Sequence, residues 1–462
     1  MIFYWTDTLF FILLLMLAAS VIRTRSKEHL RRPWRKVARS KSAMVSLTVL
    51  IFYFGFAILD SIHFHPTESQ AGEGSFKTEA ISLLDWWANP LRQRTEKTYS
   101  APFASYGFAR ETVIGEDGVS RRSYPRLLYG GAHLADPEHG KFLDILQTGF
   151  KGFRDGFFAW LVLAALLTLI TSKSSNLQFV PYATEIVKGR TEIPWRAILI
   201  TLLFLLLASF GLGELSLKYH VFGTDKVGED VFFQSLKSIR TGLLIGTLTT
   251  FITLPLALAL GILAGYFRGW VDDIIQYIYT TLNSIPGVLL IAASMLLMQA
   301  YMARHEDEFA SLALRADFRL LFLCLILGLT SWTGLCRLLR AETLKLREME
   351  YVQAARALGV HQSTILLRHI MPNVFHLVLI SVALDFSSLV LAEAVLSYVN
   401  IGVDPTTESW GNMINSARLE MAREPVVWWS LSAAFVFMFA LVLAANLFAD
   451  AVRDAFDPRR AE

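Results

Sequence analysis

Runs of about twenty apolar residues recur along this chain, and no other feature constrains its fold so tightly. They occupy 8–22, 43–60, 155–172, 196–215, 239–266, 274–302, 318–336, 374–399 and 427–449. Inside hydrocarbon every backbone N–H and C=O must be satisfied within the protein, which leaves helices for runs of this length. The expected fold class is an all-α polytopic membrane protein with about nine transmembrane helices. Composition agrees, with 54% hydrophobic and only 18% charged residues; soluble chains carry about a quarter charged. The net charge of +3 is small and its basic residues sit in particular loops, so nucleic acid is not implied. Cys324 and Cys336 share one apolar run, about 18 Å apart along a helix, too far for a disulfide.

Charge sets the orientation. No basic residue precedes the first run, and Arg23, Arg25 and Lys27 follow it, so the run is read as a retained span with the N-terminus outside. Residues 23–42 hold nine Lys or Arg against one Glu, a pattern of topology and headgroup attraction. Alternation then puts the C-terminus in the cytoplasm. Four divisions follow: an N-terminal hairpin with its basic loop, 1–60; a polar extracytoplasmic insert, 61–154; helices three and four, 155–215; and a core, 216–462, with a cytoplasmic loop at 340–373. The insert holds Trp86-Trp87 and the turn-rich pieces GEDG, 115–118, and YGGAHLADPEHG, 129–140.

Within the spans, Gly242 with Gly246 and Gly261 with Gly265 permit close helix approach, and Pro255 predicts a kink. The sixth run is interrupted at Asn283-Ser284-Ile285-Pro286-Gly287, which predicts a bent helix lining a cavity. Asp385 falls about 18 Å into the eighth run, where an acid faces a pathway or a partner surface, or stays neutral. Glu393 lies nearer the outer end, as a cap or paired group.

The loop EYVQAARALGVHQSTILLRHIMPN, 350–373, reads as two short helices with a bend. Val352, Ala355 and Leu358 mark the buried face of the first. Gly359 stops it, Ser363 or Thr364 caps the second, and Pro372 disfavours its continuation.

Ala354, Ala355, Gly359 and Pro372 resemble the signature loop of ABC-importer permeases. Glu350-Tyr351-Val352 ahead of them, and Arg368 to Asn373 behind, resemble the dipeptide/oligopeptide branch, second (C-type) subunit. Gln353 departs from a usual Glu, and His369 from a branched apolar residue. FGTDKVGEDVF, 222–232, resembles that branch's outer-face motif through Gly223, Thr224, Asp225, Gly228, Asp230 and Val231, with Glu229 where Arg is usual. Read on its own, the string is a turn with a helix cap. LAEAVLSYVNIGVDPTTESWGNMI, 391–414, resembles the same family, with Asn400 replacing a small residue. The likeness covers about 196–462, and 33–60 resembles the family's usual N-terminal start.

The resemblance implies a type I ABC-importer permease core in the bacterial plasma (inner) membrane. It further implies a second permease subunit, two ABC ATPase subunits, an extracytoplasmic solute-binding protein and peptide cargo. Glu350, Tyr351, Ala354, Ala355, Gly359, Pro372 and Asn373 would dock the ATPase; Asp385, Asn283 and Ser284 would line the path. Nickel or an antimicrobial peptide as cargo, or a non-transporting scaffold, are the alternatives. No phosphate loop occurs: the nearest string, AGEGSFKT at 71–78, has Phe76 at a glycine position, so ATP hydrolysis belongs to partner subunits and the chain is not itself an enzyme. His63 with His65, and His133 with His139, lack a typical ligand set. The sequence thus calls for no metal and no cofactor.

Overall fold

The computed structural model describes residues 4–25, 28–65, 80–114, 120–175, 178–307, 309 and 311–456. AGEGSFKT, GEDG and the last residues, 457–462, lie outside the described residues. In chain order the first elements are α1 (Trp5–Arg25), α2 (Glu28–Arg39), α3 (Lys41–Ser61), β1 (His63–Phe64), β2 (Ile81–Ser82), α4 (Leu83–Trp87), α5 (Asn89–Arg92), β3 (Glu111–Ile114) and β4 (Ser120–Ser123). There follow α6 (Pro137–Ser174), α7 (Phe179–Lys188), α8 (Trp195–Ser216), α9 (Val231–Phe267), α10 (Trp270–Ser284), α11 (Gly287–Arg304) and α12 (Leu312–Arg347). The chain ends with α13 (Glu350–Ala357), α14 (Gln362–Ile365), α15 (Met371–Tyr398), α16 (Trp410–Glu420) and α17 (Trp429–Phe456). The strands form two antiparallel pairs, β1 with β2 and β3 with β4.

Among the described residues, eight helical stretches are long and apolar enough to cross a membrane: α1, α3, α6, α8, α9, α11, the run Gln362–Tyr398 and α17. The seventh expected run, 318–336, lies within α12, which is not one of the eight. The expected break in the sixth run is present: α10 ends at Ser284 and α11 starts at Gly287. Pro255 lies inside α9, which runs on as one helix to Phe267.

The chain divides into two compact units. Among the described residues, the first lies within 38–241 and 408–444, the second within 4–37, 242–407 and 445–456. In the first unit, α6 and α8 pack through glycine. A Cβ on Gly152 would lie 2.7 Å from the Phe210 carbonyl oxygen, and one on Gly156 2.9 Å from that of Leu206. Trp160 Nε1 donates to the Leu199 carbonyl at 2.8 Å. This packing continues to Thr148 and Gly149, so α6 extends well before the expected span at 155–172 and takes in the last residues of the polar region. Trp410 is fully buried in this unit and donates from Nε1 to the Ser235 carbonyl at 3.2 Å.

In the second unit, α9 and α12 use the same device. A Cβ on Gly261 would meet the Cys336 carbonyl oxygen and Leu339 Cβ, both at 2.8 Å; one on Gly265 would meet Thr343 Cβ at 2.6 Å. Gly246 lies against the ring of Phe386. In lipid, apolar side chains gain nothing by leaving one apolar medium for another, so close backbone approach holds helices together. Both cysteines are buried thiols. Asp317 anchors α1 to α12: its carboxylate accepts from the Trp5 backbone N–H at 2.9 Å and from the Thr6 hydroxyl. The Trp5 N–H belongs to the turn that a helix cannot satisfy by itself.

A matched pair of substitutions tests the glycine contact. Gly261→Val puts carbon against a backbone carbonyl that cannot swing aside, and should cost about 1–3 kcal/mol, lowering the thermal midpoint in detergent. Gly334→Ala, where an added Cβ meets nothing within 4 Å, should leave the midpoint unchanged or raise it.

Candidate functional site

The 350–373 segment is a hinge with one buried face. Val352 and Ala355 of α13 join Ile365, Ile370, Val374 and Val378 in a core cluster with Leu335, Cys336 and Leu339 of α12. Gly359, at φ +76°, closes α13 in a left-handed turn. Its N–H reaches the Arg356 carbonyl and that of Val360 reaches Ala355, both at 3.1 Å. This paired closure needs a residue that accepts positive φ, and nothing lies within 4 Å of where a Cβ would stand.

Four details differ from the sequence reading. Leu358 is 83% exposed rather than part of the buried face, because it is the capping residue where the helix unwinds. The second helix is capped by His361, whose Nδ1 accepts from the Ser363 N–H at 3.3 Å, not by Ser363 or Thr364. Pro372 does not end that helix. A π-turn over Leu366–Ile370 carries the chain directly into α15, where Pro372 occupies the first turn, a position needing no N–H. The loop is also shorter than 340–373, since α12 stays helical to Arg347.

Asn373 donates from Nδ2 to the Tyr351 hydroxyl at 3.0 Å and to the His369 carbonyl at 2.6 Å, tying α13 to the start of α15. His369 sits beside Tyr351, ring centroids 6.1 Å apart. Gln353 donates from Nε2 to the Glu348 carbonyl at 3.2 Å, which a glutamate could not do. Glu350 lies exposed in the first turn of α13, and Ala354 is exposed beside it. Tyr351, Leu358 and Leu367 are exposed apolar side chains over this buried base.

The 222–232 segment is a turn followed by a helix cap, and also more than that. Asp225 Oδ1 accepts the N–H groups of Val227 and Glu229 at 2.9 Å. Asp230 Oδ1 accepts those of Phe232 and Phe233 at 2.9 and 3.1 Å, capping α9. The glycines face the insert. A Cβ on Gly228 would overlap the Glu96 carbonyl, and one on Gly223 the Ser100 carbonyl; both glycines have positive φ. Thr224 pairs with Ser100 and donates to the Thr98 carbonyl at 2.9 Å, while its own carbonyl accepts from Trp429 Nε1 at 2.9 Å. Glu229 has no ion-pair partner among the described residues; Gln234 bridges it to Asp225 by donating to both carboxylates at 3.0 Å.

The sequence reading missed the centre of this site. Buried His220 lies 2.7 Å from Asp230 and 3.5 Å from Glu96. Glu96 also accepts the N–H groups of Leu128, Tyr129 and Gly130 at 2.9, 2.8 and 3.2 Å. Burial alone would raise the Glu96 carboxyl, but His220 and those N–H groups outweigh it and hold it down at about 2. Burial alone would lower the His220 imidazole, but Asp230 and Glu96 outweigh it and push it up to about 9. No local motif announces Glu96; only the adjacency of His220 to the motif could have drawn notice.

The membrane residues divide. Asn283 and Ser284 lie exposed at the α10–α11 break; Asn283 Oδ1 accepts from Thr333 at 3.1 Å, and the Ser284 hydroxyl donates to the Thr281 carbonyl at 2.7 Å. Asp385 is exposed on α15 beside Leu384 and Ser388, without a hydrogen-bond or ion-pair partner for its carboxylate among the described residues. Glu393 is buried and accepts from Ser397 Oγ at 2.7 Å. Arg319, also missed, is buried, donates to the Gly402 carbonyl at 3.2 Å and lies 3.6 Å from Asp404. Asn400 has φ +61° and closes α15 as Gly359 closes α13.

Residues 257–462, including the whole hinge, match the family profile described as "Binding-protein-dependent transport system inner membrane component". The glutathione transport system permease protein GsiD of Pectobacterium atrosepticum is 32% identical over 240 residues, covering 52% of this chain and 73% of that protein. The oligopeptide transport system permease protein OppC of Mycobacterium bovis is 31% identical over 239 residues, 52% of this chain and 76% of that one. The chain belongs to this permease family. It is a multi-pass protein of the bacterial inner membrane. The dipeptide transport system permease protein DppC of Lactococcus lactis is 30% identical over 243 residues, 53% of this chain and 65% of that protein. These alignments leave nearly half of the permease uncovered.

The buried pair His220 and Glu96 gives a pH signature. His220, raised in the folded state from 6.5, contributes stability that is complete below about 6.5 and lost as pH rises through about 9. Glu96, lowered from 4.5, contributes stability that is complete above about 4.5 and lost as pH falls towards about 2. Protease resistance of the insert should therefore peak between about 4.5 and 6.5. His220→Gln should flatten the alkaline limb, and Glu96→Gln the acid limb.

Proposed function

We propose that this permease is one membrane subunit of an ATP-driven importer of short peptides, with a second permease, two ATPase subunits and an extracytoplasmic solute-binding protein as partners. The substrate class is supported by relatives whose names specify glutathione, oligopeptides and dipeptides. The observation that carries the coupling role is the 350–373 hinge: a base buried against α12 under an exposed rim of Tyr351, Leu358 and Leu367. A base fixed in that way transmits displacement, while the rim offers a removable apolar contact. An ATPase that closes on nucleotide would push α13, and the push would reach α12 and α15 through Val352, Ala355 and Ile370. Asp385, Asn283 and Ser284 are assigned to the path or to the surface facing the second permease, since an acid exposed on a membrane helix needs water or a partner.

The domain reading stands as a proposal too. The core, 216–462, would carry transport, and the hairpin, insert and added helices of 1–215 would brace its outer face.

Leu358 separates docking from folding. It is exposed, so Leu358→Asp should leave insertion and thermal midpoint unchanged, while co-purification of the ATPase and coupled uptake fall by roughly tenfold or more. Unchanged uptake would remove the coupling role from this loop. Asp385→Asn should reduce uptake without reducing ATPase co-purification; loss of both together would place Asp385 in the subunit contact alone.

A further inference from the structure

We propose that α2 carries a binding face for anionic phospholipid headgroups, formed by Arg31, Arg32, Arg35 and Lys36. These positions recur at the three- and four-residue spacing that gathers them on one helix side, and all four side chains are exposed. The opposite side is apolar and occupied: Val37 is 3% exposed, and the Trp34 ring meets Phe456 edge-on at 5.5 Å. The helix is therefore held by its apolar side, with the basic side turned away. Arg31, Arg32 and Lys36 have no ion-pair partner among the described residues.

What fixes the occupant is the tether. α1 ends at Arg25 and α3 begins at Lys41, capped by Ser40, and both are long and apolar enough to span. A helix about 18 Å long joined at each end to a membrane helix cannot leave the bilayer surface. Its charges stay within a Debye length, about 8–10 Å, of the headgroups of the leaflet where α1 ends. Guanidinium groups suit the phosphodiester of such headgroups, because their fork presents two parallel donors to two phosphate oxygens. A phosphatidylglycerol- or cardiolipin-rich patch matches this face in charge, geometry and position.

The test uses the full-length permease, purified in mild detergent, with retained lipid read by native mass spectrometry and headgroup analysis. Each basic side chain near an anionic surface changes association by about fivefold. The variant Arg31→Gln, Arg32→Gln, Lys36→Gln should thus lose phosphatidylglycerol and cardiolipin by up to roughly a hundredfold at low salt, with phosphatidylethanolamine retention unchanged. Arg31→Lys, Arg32→Lys, Arg35→Lys should keep most of the anionic lipid. Retention by the unaltered protein, which needs no variant to fold, should fall as salt rises. Equal anionic-lipid retention by the glutamine variant, or salt-independent retention by the unaltered protein, would overturn the proposal. So would displacement by inorganic phosphate, which would show a site for the free anion, or loss of a protein partner with lipid unchanged.

Discussion

The structure depends on a constraint of solvent: in hydrocarbon, a peptide group has no partner except another part of the protein. Long helices satisfy it, but their side chains then gain little from burial against one another. Contact has to come from close approach, and close approach from glycine. Gly261 and Gly265 bring α9 against α12 until the Cys336 and Arg340 carbonyls stand within 2.8 Å of where a Cβ would be. Gly152 and Gly156 do the same for α6 against α8. Such contacts have almost no slack. A displacement applied to α12 is shared with α9 rather than absorbed, and α12 runs unbroken to Arg347, two residues short of the hinge cap at Met349.

The same constraint decides where polar chemistry can go. Charges gather at helix ends and in loops, and there they are thoroughly engaged. Asp230 caps α9 with one oxygen and meets His220 with the other. Glu96 takes three backbone donors and His220. Two acids beside one imidazole, with backbone N–H groups aimed at Glu96, favour the charged forms of Glu96 and His220 in a buried place. The insert is consequently built into the 222–232 turn. Gly228 has no side chain because the Glu96 backbone occupies that space, and Glu96 N–H donates to the Gly228 carbonyl at 2.9 Å.

The sequence was readable where the physics is local. Apolar run length located the membrane helices, the Pro286 region located the break in the sixth, and Gly359 located the end of α13. It became unreadable where the deciding partner is distant or where one residue shifts a cap. Nothing near Glu96 points to a turn more than a hundred residues later, and nothing near Asp317 points to Thr6. Leu358 fits the periodicity of α13, yet the helix unwinds there and turns it outward; periodicity cannot tell a last helical residue from a capping one. His361 was overlooked because Ser363 and Thr364 are the more usual caps, although an imidazole nitrogen accepts an N–H equally well. The early start of α6 was hidden by its charges, Lys151, Arg154 and Asp155. These are served within the first unit: Lys151 meets Glu214 at 2.9 Å, and Arg154 meets Asp155 at 2.8 Å.

Asp385 stands apart from this pattern. In the second unit several charges carried on or beside long helices are engaged: Asp317 with the start of α1, Arg319 with Gly402 and Asp404, Arg340 with Asp272 in two bonds of 2.6 Å. Asp385 has helix neighbours but no counter-charge among the described residues, and its face of α15 also exposes Leu384, Ser388, Leu391 and Val395. A stripe mixing an acid, a hydroxyl and aliphatic groups suits neither lipid nor bulk water along its whole length. It suits a surface completed by another protein with polar space beside it, where the aliphatic residues pack and the acid keeps water or a cation. On the proposed reading that surface belongs to the second permease, and the unsatisfied carboxylate marks where the two halves must leave room between them.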